Sequence, residues 1–197
     1  MTTTITTPFD YYKQSLQYAD NEIIVETKNG KALKDVVGKA FETHRKRVWE
    51  YFGFQLSKEK HNALFDVDWA ISFNGTLVAL EEDKGHYLDS CFLERAITGF
   101  AKTVNCYQKS GTIVPILIIH SFTRYNKFDE KKMEDLDTRK SAIADELSNK
   151  LSYSYMTMCD RLPKCKWFGN CENCYYDNAV DELIIKDIEF IQSLIPL

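Results

Sequence analysis

The tightest constraint on this chain is the pair Asn74-Gly75, because a two-residue type I′ turn needs positive φ at both central positions and these residue types tolerate it. Before it runs Phe65-Asp66-Val67-Asp68-Trp69-Ala70-Ile71-Ser72-Phe73, and after it Thr76-Leu77-Val78-Ala79-Leu80-Glu81-Glu82-Asp83-Lys84. Both runs are rich in β-branched and aromatic residues, so the stretch reads as a hairpin. Side chains alternate along a strand, which places Asp66 and Asp68 on one face of the first strand and Val78, Leu80, Glu82 and Lys84 on one face of the second. Tight pairing about the turn sets position 68 roughly opposite 81 or 82, and a single bulge brings Asp68 and Glu82 together. Two carboxylates and an amine then converge at one end of a sheet. Charges so placed are costly to bury unless compensated, and a bound divalent cation, here read as Mg2+, is the usual compensation. The plainer reading is a solvated acidic strand end in which Lys84 pairs with a neighbouring glutamate.

The rest of the chain reads as an alternation of helices and strands. Residues 1–20 begin Thr-rich and turn aromatic, which predicts a loose start and a docking helix, and Glu22-Ile23-Ile24-Val25-Glu26-Thr27 predicts a short strand closed by Asn29-Gly30. From Lys31 to Phe52 the spacing is helical, with Val37, Phe41, Val48 and Phe52 on one stripe and Gly53 as C-cap. Past Lys84, the apolar positions from Phe92 to Val104 predict a second helix, capped by Asp89 or Ser90, and Thr112–His120 predicts a buried strand in which Pro115 requires an edge or a bulge. Lys127–Tyr153 carries a helical stripe in a charged background, and the segment from Tyr175 onward carries another, from Val180 to Leu194.

Asp68, thirteen intervening residues and then Glu82-Asp83-Lys84 resemble the active-site motif of the PD-(D/E)xK, or restriction-endonuclease-like, nuclease superfamily. Phe65 and Val67 stand where the family's motif has proline, so Asp66 remains an alternative to Asp68, which the loop spacing favours. Gly38-Lys39-Ala40-Phe41-Glu42 is similar to the first helix of the resolvase-like branch, and Glu42 occupies the position of a glutamate that joins the metal site there. An ordinary surface pair between Glu42 and Lys46 is the competing reading. The resemblance implies an αβββαβ core, a mixed central sheet flanked by helices, over residues 31–120.

It further implies a Mg2+- or Mn2+-dependent DNA endonuclease that leaves 5′-phosphates, a type II restriction-type enzyme before a junction-resolving or repair nuclease. An RNA endonuclease and an inactive nucleic-acid- or protein-binding module of the same fold are the alternatives. Asp68, Glu82 and Lys84 would be catalytic. Asp68, Glu82, the backbone carbonyl of Asp83 and Glu42 would hold the metal, with Asp66 in reserve. Lys84 would position the attacking water and stabilise developing charge. Two-strand cutting makes a homodimer the expected assembly.

Four of the six cysteines, Cys159, Cys165, Cys171 and Cys174, fall within sixteen residues. In an intracellular chain such a group fits a tetrahedral structural zinc site better than disulfides. An iron–sulfur cluster, which some nuclease relatives carry, and four unliganded thiols are the other readings. The expected organisation is a nuclease-like core over residues 1–155, with a Cys-rich segment and closing helix over 156–197 packed on the same domain. A composition 44% hydrophobic and 13% aromatic excludes a disordered chain. Neither a secretory signal nor a bilayer-length apolar run is present, so an intracellular protein without a membrane partner is expected. A net charge of −4 means that any nucleic-acid contact must rely on local clusters such as Arg45-Lys46-Arg47.

Overall fold

The structure, a computed structural model, describes residues 7–58, 60–61, 65–84, 116–121, 153–157 and 178–195. They form a mixed α/β arrangement of three helices, α1 (Pro8–Lys28), α2 (Leu33–Tyr51) and α3 (Asn178–Ser193), and seven strands. The strands are β1 (Gln55–Ser57), β2 (Lys60–His61), β3 (Phe65–Asp66), β4 (Trp69–Phe73), β5 (Thr76–Lys84), β6 (Ile116–Ser121) and β7 (Tyr153–Thr157).

The hairpin is β4–β5. Asn74 (φ 50°) and Gly75 (φ 78°) both take positive φ, and Phe73 pairs with Thr76 across the turn. Ile71 pairs with Ala79 while Ser72 pairs with Leu77, so Val78 is an extra residue on β5 and the ladder carries one bulge. Beyond the bulge Trp69 faces Glu81, which brings position 68 opposite 82. β1 adds to the free edge of β4 antiparallel, whereas β6 pairs parallel with β5 and β7 parallel with β6, giving a five-stranded sheet in the order β1-β4-β5-β6-β7. Parallel neighbours require a crossover between them. Residues 85–115, where the second helix and Pro115 were expected, lie outside the described residues, and the strand begins at Ile116.

The core fills one face of this sheet. Ile71, Trp69, Ala79 and Ile118 from the strands meet Phe41, Val48 and Trp49 of α2, Tyr12 and Leu16 of α1, and Ile184, Ile188 and Ile191 of α3. Helix α2 ends as its sequence predicts, with Gly53 at φ +85° and its N–H bonded to the Glu50 carbonyl.

The strand expected at residues 22–27 is instead the last part of α1. Thr7 caps that helix by accepting the Asp10 N–H at 3.1 Å, and Pro8 sits in its first turn. From there Tyr12, Leu16, Ala19 and Ile23 repeat at helical spacing and are all buried. Ala19 and Ile23 pack on Val36, Val37 and Ala40 of α2, so packing overrides the β-branched preference of Ile23-Ile24-Val25. Tyr153, expected to end a long helix, is the first residue of β7, and that strand crosses the expected division at 155/156. No helix among the described residues is long and apolar enough to cross a membrane.

Candidate functional site

Three consecutive acids, Glu81, Glu82 and Asp83, precede the last residue of β5, and all three are buried. Alternation sends Glu81 and Asp83 to the helix-covered face and Glu82 to the other, which position 84 shares. Burial of so much charge requires partners, and those of Glu81 come from α2. Its Oε1 accepts from Arg45 Nε at 2.8 Å, and its Oε2 accepts from Arg45 Nη2 and Trp49 Nε1, both at 3.0 Å. Arg45 also reaches α3, where Nη1 donates to Asp187 Oδ2 at 2.5 Å, and the Tyr12 hydroxyl of α1 donates to that same oxygen. Burial and then the Asp187 charge hold the Tyr12 phenol well above its ordinary pKa, against the pull of Arg45. It remains a proton donor. One guanidinium thus joins α1, α2, β5 and α3, so Glu81 serves the fold rather than a ligand.

Asp83 is in a different position. Neither of its carboxyl oxygens accepts a hydrogen bond from a donor among the described residues, although both are buried. Burial, followed by the charge of Glu81, pushes this carboxyl well above the usual range, with Arg45 opposing and Asp68 adding to the rise.

Asp68 lies in the bend just before β4 and is half-buried. Its Oδ2 accepts the Asp83 backbone N–H at 2.7 Å, extending the β4–β5 contact by one side-chain acceptor. Lys58 approaches from β1, because the Ser57–Ala70 pairing brings position 58 opposite Trp69. The Lys58 ammonium lies 5.1 Å from the centroid of the Trp69 ring and donates to Glu42 Oε2 at 2.7 Å. That bond raises the Lys58 pKa, partial burial opposes it, and the charges of Glu42, Asp68 and Asp83 reinforce it. Glu42 stands seven residues, about two helical turns, before Trp49 and so on the same side of α2.

The expected site residues are therefore partly assembled. Asp68 meets the Asp83 amide and directly precedes Trp69, which pairs with Glu81; Glu42 reaches the same end of the sheet through Lys58, not through a pair with Lys46, which instead lies 3.6 Å from Glu50. The backbone of Asp66 stands opposite that of Lys60 in the two-stranded β2–β3 ribbon, which is not part of the five-stranded sheet. Glu82 and position 84 share a face of β5, but that face is opposite the one that carries Glu42, Lys58 and Asp83. Among the described residues no three His, Cys, Asp or Glu side chains form a ready metal-holding group. Cys159, Cys165, Cys171 and Cys174 lie outside the described residues. Lys58 and the Arg45 network were not anticipated from the sequence. Arg45, read as part of a basic cluster, is fully buried and unavailable to an anionic partner. Comparison with protein-family models, with curated proteins and with solved structures finds no match.

Replacing Asp83 tests whether this end of the sheet carries uncompensated charge. Its folded pKa lies above the unfolded one, so below the unfolded value both states hold the proton and no penalty arises. As pH rises through the folded value, the native state must bear a buried charge that the unfolded chain leaves in water. Asp83→Asn is therefore expected to stabilise the protein in chelator, by little near about pH 4 and by more at neutral pH. Urea midpoints across that range check it, and a gap that does not grow with pH would reject the assignment.

Proposed function

We propose that the chain is a Mg2+-dependent endonuclease of the PD-(D/E)xK kind, acting on DNA. The observation that carries this reading is the bulged hairpin, in which Trp69 pairs with Glu81 and the preceding Asp68 accepts the Asp83 backbone N–H at 2.7 Å. The order of elements supports it as well: α2, then β1, β4 and β5 as an antiparallel meander, then β6 parallel to β5, which is the αβββαβ order when the crossover is helical. Asp68, Glu82 and the Asp83 carbonyl would hold one cation; Glu42, on the other face of β5 and bonded to Lys58, would stay outside it. Metal bound there would acidify a water and draw charge from the scissile phosphate. Lys84 would orient that water and stabilise the phosphorane. Zinc or an iron–sulfur cluster in the cysteine segment would be structural, since four thiolates leave no open coordination position.

Incubation of supercoiled plasmid with the protein in Mg2+, against EDTA, tests the reading. Cleavage in Mg2+ alone, with ligatable 5′-phosphate ends, is the expected result. Discrete fragments from unmethylated but not methylated plasmid would identify a restriction-type enzyme. Cutting confined to a synthetic four-way junction would identify a resolving nuclease, and cutting of RNA alone would redirect the substrate. Absence of cleavage on every one of these substrates would reject an endonuclease.

A further inference from the structure

We propose that the outer face shared by α1 and α2 binds single-stranded nucleic acid, its bases stacking on Tyr18 and Tyr51 and a phosphate meeting Arg47. The proposal does not rest on the metal-site reading, because Arg47 stands two residues before Trp49, about 200° round α2, and so is turned away from the end of the sheet. Tyr18 is 53% exposed and Tyr51 38%, and both lie where the two helices pass each other. The Tyr51 ring stacks on that of Tyr11, with centroids 4.3 Å apart, and the Arg47 guanidinium lies 5.5 Å from the centroid of Tyr18. Tyr11 and Tyr18 are two turns apart on α1, and Arg47 and Tyr51 one turn apart on α2, so the four side chains form one stripe about 10 Å long.

Charge and edge chemistry select the occupant. Among the described residues no carboxylate lies within ion-pair distance of Arg47, whereas Lys46 beside it is taken by Glu50. From Tyr11 to Asn21 the one carboxylate on α1 is Asp20, and it is buried. The exposed neighbours of Tyr18 one turn before and after it are the amides of Gln14 and Asn21, and half-buried Glu22 closes the stretch. Flat rings, amides and a cation without a carboxylate suit a nucleobase on a phosphate backbone: the rings take its face, the amides its edge and the guanidinium its phosphate. A second copy of α1 fits less well, since a helix seam requires apolar residues three positions beyond Tyr11 and Tyr18, where Gln14 and Asn21 stand. A duplex keeps its base faces covered, so the rings favour an unpaired strand.

The test is fluorescence anisotropy of a labelled single-stranded oligonucleotide, as DNA and as RNA, and of a blunt duplex, with the full chain in EDTA. Single strands are expected to bind and the duplex to bind more weakly. Tyr18→Ala is expected to lose about tenfold in affinity, the worth of one stacked base, while Tyr18→Trp and Asp68→Asn bind like wild type. Arg47→Gln should weaken binding and lower its salt dependence by about one phosphate contact. Binding of DNA alone or RNA alone, with these variant effects, upholds the surface and names the sugar it reads. The proposal is overturned if no oligonucleotide binds, if Tyr18→Ala and Arg47→Gln both bind like wild type, or if binding is lost in Asp68→Asn and kept in Tyr18→Ala. Sedimentation in which wild type self-associates and Tyr18→Ala does not, without oligonucleotide binding, would assign the face to a second copy and overturn it too. Binding with the expected variant effects in a protein that cuts no nucleic acid would uphold this surface and reject the nuclease.

Discussion

Arg45→Met is expected to lower the stability of the fold by about 3–5 kcal/mol, the range found when one partner of a buried ion pair is removed. Arg45, Glu81 and Asp187 are each fully buried, and the guanidinium supplies two of the three hydrogen bonds to Glu81 identified above. Burial works against the charged guanidinium, yet Asp187 and then Glu81 hold its pKa well above the ordinary value, so it stays charged at every workable pH. Methionine fills similar volume and removes the charge. Two carboxylates are then left in the core without the guanidinium, the Tyr12 hydroxyl donating to Asp187 and the Trp49 indole N–H to Glu81.

The size of that loss must be separated from the worth of the network. Replacing the guanidinium and both acids together by apolar or amide groups of like shape can be close to neutral, because desolvation offsets the attraction. The triple variant Arg45→Met, Glu81→Gln, Asp187→Asn is therefore expected to recover much of the stability lost in Arg45→Met alone. Urea denaturation of the two proteins decides the matter. If Arg45→Met unfolds at the wild-type midpoint, the guanidinium does not join α1, α2, β5 and α3 in the way the geometry requires.

This network explains why part of the fold was legible in the sequence and part was not. The hairpin was legible because Asn74-Gly75 is a local signal: turn type and loop length follow from the turn residues themselves, whereas the bulge at Val78 appears only in the register. The buried face of α2 and of α3 was legible for the same reason, since Val37, Phe41 and Val48, and Ile184, Ile188 and Ile191, repeat at helical spacing. Local signals failed where a distant partner decides. Ile23-Ile24-Val25 has the composition of a strand and becomes helix because Ile23 packs on Val36, Val37 and Ala40 of α2.

Arg45 illustrates a signal that was present but masked. In Arg45-Lys46-Arg47 each residue points about 100° from the last, so a basic triplet on a helix cannot form one basic face. Arg45 falls between Phe41 and Val48 on the apolar stripe, while Lys46 pairs with Glu50 and Arg47 stacks over Tyr18. Asp187 interrupts the isoleucine stripe of α3 in the same manner. A lone charge inside an apolar stripe, occurring twice with opposite signs, is a pairing signal. Lys58 carried no such mark, because only the β1–β4 register brings it opposite Trp69.

Asp68→Asn is expected to abolish Mg2+-dependent cleavage, by about three orders of magnitude or more, while leaving the fold intact. The amide keeps an oxygen that can accept the Asp83 N–H now held at 2.7 Å, so only the charge is lost. Lys84→Ala should remove cleavage and leave Mn2+ uptake in place, and Asp66→Asn should behave as wild type, because its backbone belongs to the β2–β3 ribbon. Glu82→Gln and Asp83→Asn then discriminate between the two faces of β5. If the cation is held by the Glu82 side chain and the Asp83 carbonyl, Glu82→Gln is inactive and Asp83→Asn retains activity, since its carbonyl is unchanged. If the Asp83 carboxylate is the ligand on the face shared with Glu42 and Lys58, the pattern reverses. Wild-type rates in Asp68→Asn would exclude both arrangements, because both include Asp68, the acid bonded to the Asp83 amide.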